Sequence, residues 1–467
     1  MLSKSKILNE LTADSLVSIA HAAIGGASST LLQSRHVSAN VDLHYEGEVA
    51  DDVLQLTRYA FGPEISAKGP NAIIVHKGYI FVTHYSGGMD ERYVRLSRKH
   101  IGGSKWVTIV FPHQHVLFHK DQGLPEEERR GDSHNYISLG ISGEDDCMHL
   151  LFDMHAYTPS DFPNDFFNYR VSEPGSALVS DSEFTLERFK PKRNYLSEKA
   201  HSNVYHRVTY PTFVASPENK LLVTWRVGGS LNASLKISKY EDGKWSTPTT
   251  WNANTNPTGI YGDFRSFNGK LVMAWQRRLQ SDAAEGYGLN RGIYMATSDT
   301  PDGRNSWYTD DGETATAPVR ELEMFKVGEP CKANERMLNL AYVIAPNGAF
   351  HFHVRVNGKE RHCFRSKPGQ FIQCSHEDLA WKSLSMYVTG SRVYRLGLKD
   401  QMPVLQSTLA GEDNWMDEYH GTVRSLKFSH GVSAMAGDDT MLFYGMQATA
   451  KGIDSRPAHV LRFALTP

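Results

Sequence analysis

From about Asn71 to the C-terminus the chain alternates apolar and polar positions in short runs, broken by Gly, Asn and Asp. Period-two runs bounded by turn residues predict antiparallel strand–turn–strand units. One unit covers Asn71–Thr83 around a Lys77-Gly78 turn, and others cover Tyr136–Asp153, Pro211–Arg226, Asp263–Trp275 and Leu340–Val354. Each is an apolar strand, a polar turn and a second apolar strand that ends near an aromatic residue. Two units are followed by a Ser…Asp-Gly…Trp pattern, Ser238 to Trp245 and Ser298 to Trp307. Units recurring at irregular intervals of about 50–75 residues predict an all-β propeller whose loops differ in length. At about 60 residues per blade the chain is expected to form a seven-bladed β-propeller of four-stranded antiparallel blades. Its last strand, His459–Leu465, is expected to close the ring with N-terminal material. A tandem of β-sandwiches is the architectural alternative, but it leaves the repeating unit unexplained.

Residues 1–35 follow another period. Ile7, Leu8, Leu11, Leu16, Val17, Ile19 and Ala20 share one helical stripe, which predicts a short N-terminal helix or two. The expected division is a partly helical N-terminal segment, 1–60, packing on or closing the propeller, followed by the propeller itself, 61–467.

Composition narrows the function. Hydrophobic residues make up 40% and charged residues 22% of 467, the balance of a folded globular chain. A net charge of −2 gives no global field for nucleic acid or a membrane surface, so polyanion binding must come from a local basic cluster. No run of 18 apolar residues is present, which excludes a transmembrane helix. The N-terminus lacks the continuous apolar core of a signal peptide. Either this is a trimmed form or export follows another route. Four Cys are too few for a disulfide framework, yet Cys331, Cys363 and Cys374 lie close together in sequence and suggest a local site.

Candidate chemistry gathers at hairpin ends. His134 follows Asp132 in Asp-Ser-His-Asn, and His155 ends Phe-Asp-Met-His 21 residues later. The two flank one predicted hairpin, whose antiparallel strands return its ends to the same side. Tyr210 and Arg226 flank the next unit in the same way, 16 residues apart. Each residue alone fits a structural role, a buried histidine or a Tyr packed on a guanidinium. Repeated placement of His, His, Tyr and Arg at one rim favours a site. No paired-carboxylate or nucleophile-elbow motif is evident. A lyase acting on a uronic acid needs a cation to neutralise the sugar carboxylate, a base for the C5 proton and an acid for the departing oxygen. Arg suits the first task, and His and Tyr suit the others.

These segments, with the hairpins from Asn71 onward, resemble the propeller-type ulvan lyases of polysaccharide lyase families 24 and 25, built from BNR-like repeats. The resemblance implies β-elimination beside a uronic acid in a sulfated, rhamnose-containing algal polysaccharide, by a secreted or periplasmic enzyme acting as a monomer on an anionic polymer. It implies that Arg226 neutralises the carboxylate with help from His155, and that His134 and Tyr210 are base and acid in an order left open. Asn135, Tyr261, Arg265, Arg278 and Arg291 are further candidates for contacts to substrate; solvated charge is the simpler reading of each arginine.

A second cluster comprises Cys331, His351, His353, His362, Cys363, Cys374 and His376. A turn at Pro368-Gly369 sets Cys363 opposite Cys374. The mixed set fits a structural Zn2+, with Cys331, His353, Cys363 and Cys374 as expected ligands, and the resemblance also implies zinc. A cross-strand disulfide or two buried thiols remain open alternatives. The Ser…Asp-Gly…Trp segments resemble the Asp-box of sialidases, so a sialidase-like hydrolase is one rival reading and a non-catalytic carbohydrate-binding propeller is another.

Overall fold

The computed structural model describes residues 41–54, 71–87, 91–118, 123–125, 131–132, 134–216, 218–253, 259–279, 289–332, 335, 337–375, 379–448 and 456–465. The helix expected over 1–35 lies outside them. The described chain is all-β: short antiparallel strands joined by turns, with helical structure confined to brief 3₁₀ turns such as Leu186–Arg188 and Ser202–Tyr205. No helix among the described residues is long and apolar enough to cross a membrane.

The predicted hairpins form with the predicted pairing. Ile137–Ile141 pairs with Met148–Phe152, Val208–Ala215 with Leu221–Gly228, Gly259–Phe267 with Lys270–Leu279, and Met337–Ile344 with Phe350–Val356. Strands that open hairpins lie side by side in chain order. They are Ile73–His76, Ile137–Ile141, Val208–Ala215, Gly259–Phe267, Met337–Ile344, Lys382–Thr389 and Phe428–Met435, and the last again lies against Ile73–His76. A row of first strands that returns on itself is a propeller-like arrangement.

Apolar faces meet between neighbouring sheets. Phe81, Leu96 and Phe111 of one pack with Leu139, Leu150 and Phe152 of the next. Trp251, Trp275 and Trp307 stack edge to face within another interface, with Trp251 5.0 Å from Trp275 and 5.6 Å from Trp307. Each fully buried aromatic contributes about 1.5–3 kcal/mol, so these interfaces hold the sheets in register. The two Ser…Trp segments do matching work: Ser238 Oγ donates to the Ser246 carbonyl at 2.7 Å and Ser298 Oγ to that of Ser306 at 2.9 Å, while Trp245 and Trp307 are buried.

The two ends of the described chain share one sheet. Val41–Val53 pairs antiparallel with Arg456–Leu465, from Val41 opposite Leu465 to Val53 opposite Arg456. This strand lies inside the segment expected as 1–60, so part of that segment is an outer strand of the propeller-like body.

Candidate active site

His134 and His155 project from the paired ends of the Ile137–Ile141/Met148–Phe152 hairpin, where Ile137 faces Phe152. Their rings stack at 3.9 Å between centroids with 12° between planes. Asp132 lies beneath both: Oδ1 meets His134 Nδ1 and Oδ2 meets His155 Nδ1, each at 2.5 Å. The His134 backbone N–H also donates to Oδ1, at 2.9 Å. Burial opposes ionisation of Asp132, but the hydrogen bonds from the two histidines outweigh it and hold the carboxyl well below the usual carboxylate range. Asp132 is 4% exposed, whereas the imidazoles keep 18% and 26% of their surface open.

The next hairpin delivers Tyr210 to the same place. Thr212 pairs with Thr224 and Thr209 with Arg226, so Tyr210 and Pro211 together oppose Trp225. Two residues against one make a β-bulge, which re-aims a side chain. Tyr210 carries the bulge at φ +58°, a left-handed conformation that costs a non-glycine residue about 1–3 kcal/mol. Asp153 and Ala156, on either side of His155, are also left-handed, at +60° and +58°. The Tyr210 ring lies 5.6 Å from that of His134 and 6.4 Å from that of Tyr261. His155 itself bridges to Thr209, which ties the two hairpins together.

Arg226 and Arg278 flank Tyr261, their guanidinium carbons 4.6 and 3.9 Å from its ring centre. Arg278 also donates to the Tyr261 hydroxyl at 2.8 Å and to Asn290 Oδ1 at 2.8 Å. Arg226 is 5% exposed; its Nε donates to the Ile260 carbonyl at 3.1 Å and its Nη2 to that of Gly229. Burial lowers its pKa, Tyr261 and Tyr210 oppose that shift, and Arg278 adds to it. The two carbonyls fix the guanidinium plane. His155, His134, Tyr210, Tyr261 and the two arginines thus form one continuous chain of contacts.

The other expected contact residues lie elsewhere. Asn135 is fully buried, its amide donating to Asp153 at 2.8 Å and the Tyr157 hydroxyl at 2.9 Å, so it braces the site from behind. Arg265 pairs with Asp263 at 2.9 Å and lies over the Tyr342 ring at 4.7 Å. Arg291 turns to Cys331 Sγ at 3.3 Å and the Lys332 carbonyl. Asp132 and Tyr157 are the members that sequence reasoning passed over. Both stand two residues from a candidate histidine, and that spacing was the available signal.

The cysteine cluster takes the form of the cross-strand disulfide that the sequence left open. Cys363 and Cys374 pair as expected, but their sulfurs are joined in a disulfide and offer no thiolate. Cys331 contacts Glu329 at 3.3 Å, and burial with that carboxylate pushes its thiol up to about 11. His353 is buried with neither ring nitrogen hydrogen-bonded. Among the described residues, the group of three His, Cys, Asp or Glu side chains whose ligand atoms all come within 4.8 Å of one another is Asp132, His134 and His155, and hydrogen bonds from the two histidines to Asp132 account for that grouping.

Comparison with known proteins gives a consistent result. Residues 79–371 match the family described as BNR repeat-containing family member. A long-isoform ulvan lyase from an Alteromonas species is 31% identical over 91% of this chain and 47% of its own length. The short isoform from Alteromonas sp. (strain LOR) is 30% identical over 91% of this chain and 89% of its own. The chain therefore spans about half of the long-isoform relatives and most of the short one. The crystal structure of the polysaccharide lyase Uly1 superposes with a TM-score of 0.78 at 25% identity, covering 91% of this chain and all of that one. A PL25 ulvan lyase bound to -[GlcA(1-4)Rha3S]- shares the fold, with a TM-score of 0.64 at 13% identity over 89% of this chain and 95% of its own. The chain belongs to the BNR repeat-containing family and, within it, to the ulvan lyases.

Proposed function

We propose that this protein cleaves ulvan by β-elimination beside a uronic acid. The observation that carries the reading is the unbroken run of contacts from His155 through His134, Tyr210 and Tyr261 to Arg226, in a chain that belongs to the ulvan lyases. Arg226, with His155 beside the base, draws charge from the sugar carboxylate and so acidifies the C5 proton. His134 or Tyr210 removes that proton. The C5–H electron pair becomes the C4–C5 double bond, the C4–O bond breaks, and the other residue protonates the leaving oxygen. Glucuronate and iduronate present the C5 hydrogen on opposite faces, so the epimer sets which residue is base. Tyr261 and Arg278 line the groove beside Arg226.

The body reads as seven blades, supported by the closed row of first strands, with the 61–467 region as catalytic domain. A polymeric substrate is too large to be taken up whole, which favours action outside the cytoplasm, and the near-zero net charge supports a protein without nucleic-acid or membrane-surface partners. A structural zinc belongs to the reduced chain, because opening Cys363–Cys374 returns two thiols to the strands beside His353.

Incubation with ulvan, following ultraviolet absorbance of the unsaturated uronate, tests the reading. Rising absorbance supports elimination. New reducing ends without it indicate the sialidase-like hydrolase, and binding without cleavage indicates the carbohydrate-binding propeller.

A further inference from the structure

We propose that Asp132 is the positioning residue of the site: its single carboxylate holds both His134 and His155 in the Nδ1–H tautomer and turns both Nε2 atoms toward the sugar. The inference rests on the lyase reading for its effect on turnover, but the tautomers are a property of the resting protein.

The geometry requires the arrangement. An ionised carboxylate only accepts hydrogen bonds, so each Nδ1 in contact with it carries the hydrogen. The remaining nitrogen of each ring is then Nε2 with a lone pair, the form a general base needs. The His134 backbone N–H on Oδ1 fixes the carboxylate's rotation, and its two oxygens hold the rings face to face. The other ionisable groups around this unit are Tyr210 on the neighbouring hairpin, Asp153 and Tyr157 on its own hairpin, and His113 and His115 from the adjoining sheet, both within 4 Å of Asp153. Burial depresses the pKa of His115, and burial together with Asp153 raises that of Tyr157, so neither competes for the proton near neutrality.

Asp132→Asn is the informative variant. Its amide oxygen can accept from one ring, but its NH₂ must face the other Nδ1 and force that ring into the Nε2–H form. Expected results are a fall in kcat on the order of 10²-fold or more with KM changed less than about 3-fold, and an acid limb of the pH–rate profile shifted to lower pH. Imidazole ¹⁵N resonances of the wild-type protein at about pH 9, assigned with His134→Gln and His155→Gln, are expected to show both rings as Nδ1–H. An Nε2–H form of either ring overturns the proposal, whether or not the variant folds. So does an Asp132→Asn enzyme with unchanged kcat and pH profile. If wild-type protein forms no unsaturated product, the lyase reading fails while the tautomer measurement still decides the role of Asp132.

Discussion

Arg226 and Tyr210 place different demands on a mutational test. Arg226→Asn removes the charge, but it also strands the carbonyls of Ile260 and Gly229, each costing about 1–3 kcal/mol when left without a donor, so activity and melting temperature fall together. Tyr210→Phe removes one oxygen and keeps the ring against His134 and Tyr261. We expect it to lower kcat by about 10²–10⁴-fold with the melting temperature nearly unchanged, as followed by product absorbance and thermal denaturation. His134→Ala should do the same, and wild-type turnover in both variants would remove these residues from the chemistry. The His pair was legible because a hairpin returns its ends to one side whatever its loop. The aim of Tyr210 was not, since it depends on a two-against-one bulge and a left-handed backbone that no residue type at 210 announces. The burial of Asn135 was hidden for a related reason: adjacency to His134 in sequence says nothing about facing, and its side chain turns inward.

At the scale of the element, strand register was recoverable and redox state was not. The turn at Pro368-Gly369 put Cys363 opposite Cys374, and those residues are paired. Whether two facing sulfurs form a bond or bind a metal depends on electrons supplied from outside the chain. The disulfide form makes a definite prediction: denatured, unreduced protein should show two titratable thiols, Cys147 and Cys331, and no stoichiometric zinc by elemental analysis. Four thiols with one zinc per chain would identify the reduced, metal-bound form. The disulfide, between Lys359–Arg365 and Gln373–Cys374, lies at the far edge of the sheet that also carries Tyr261 and Arg278, and the hairpins with His134, His155, Tyr210 and Arg226 belong to other sheets and do not depend on the outcome.

At the scale of the whole molecule, the first and last described strands are joined in one sheet, and a buried charge group sits at the join. Closure itself could be anticipated, since the apolar strand at 459–465 needed a partner. Its polar clasp could not, because Glu46 occupies a strand with an ordinary alternating pattern. A register shift between Tyr45 and Gly47 accompanies the turn of Glu46 inward, where it contacts Lys99 at 2.9 Å, Arg462 at 2.7 Å and the Gly102 N–H at 3.1 Å. Three segments distant in sequence thus meet at one carboxylate. Burial opposes its ionisation, but the hydrogen bonds from Arg462 and Lys99 prevail and lower its pKa in the folded state. A carboxyl with a lower pKa folded than unfolded adds stability above its unfolded value, and that increment disappears as pH falls through the folded value. Glu46→Gln leaves Lys99 buried without its counter-charge, so it should cost about 3 kcal/mol at neutral pH, the low end for a broken buried pair because Arg462 keeps some contact with water. Below about pH 4 the gap between wild type and variant should narrow, since Glu46 of the unfolded wild-type chain then takes up a proton that the folded chain resists until its own, lower value is reached. Denaturant melts of both proteins across that range measure the effect, and a gap that stays constant with pH would mean that packing of the strand, not the charge at Glu46, holds the ring shut.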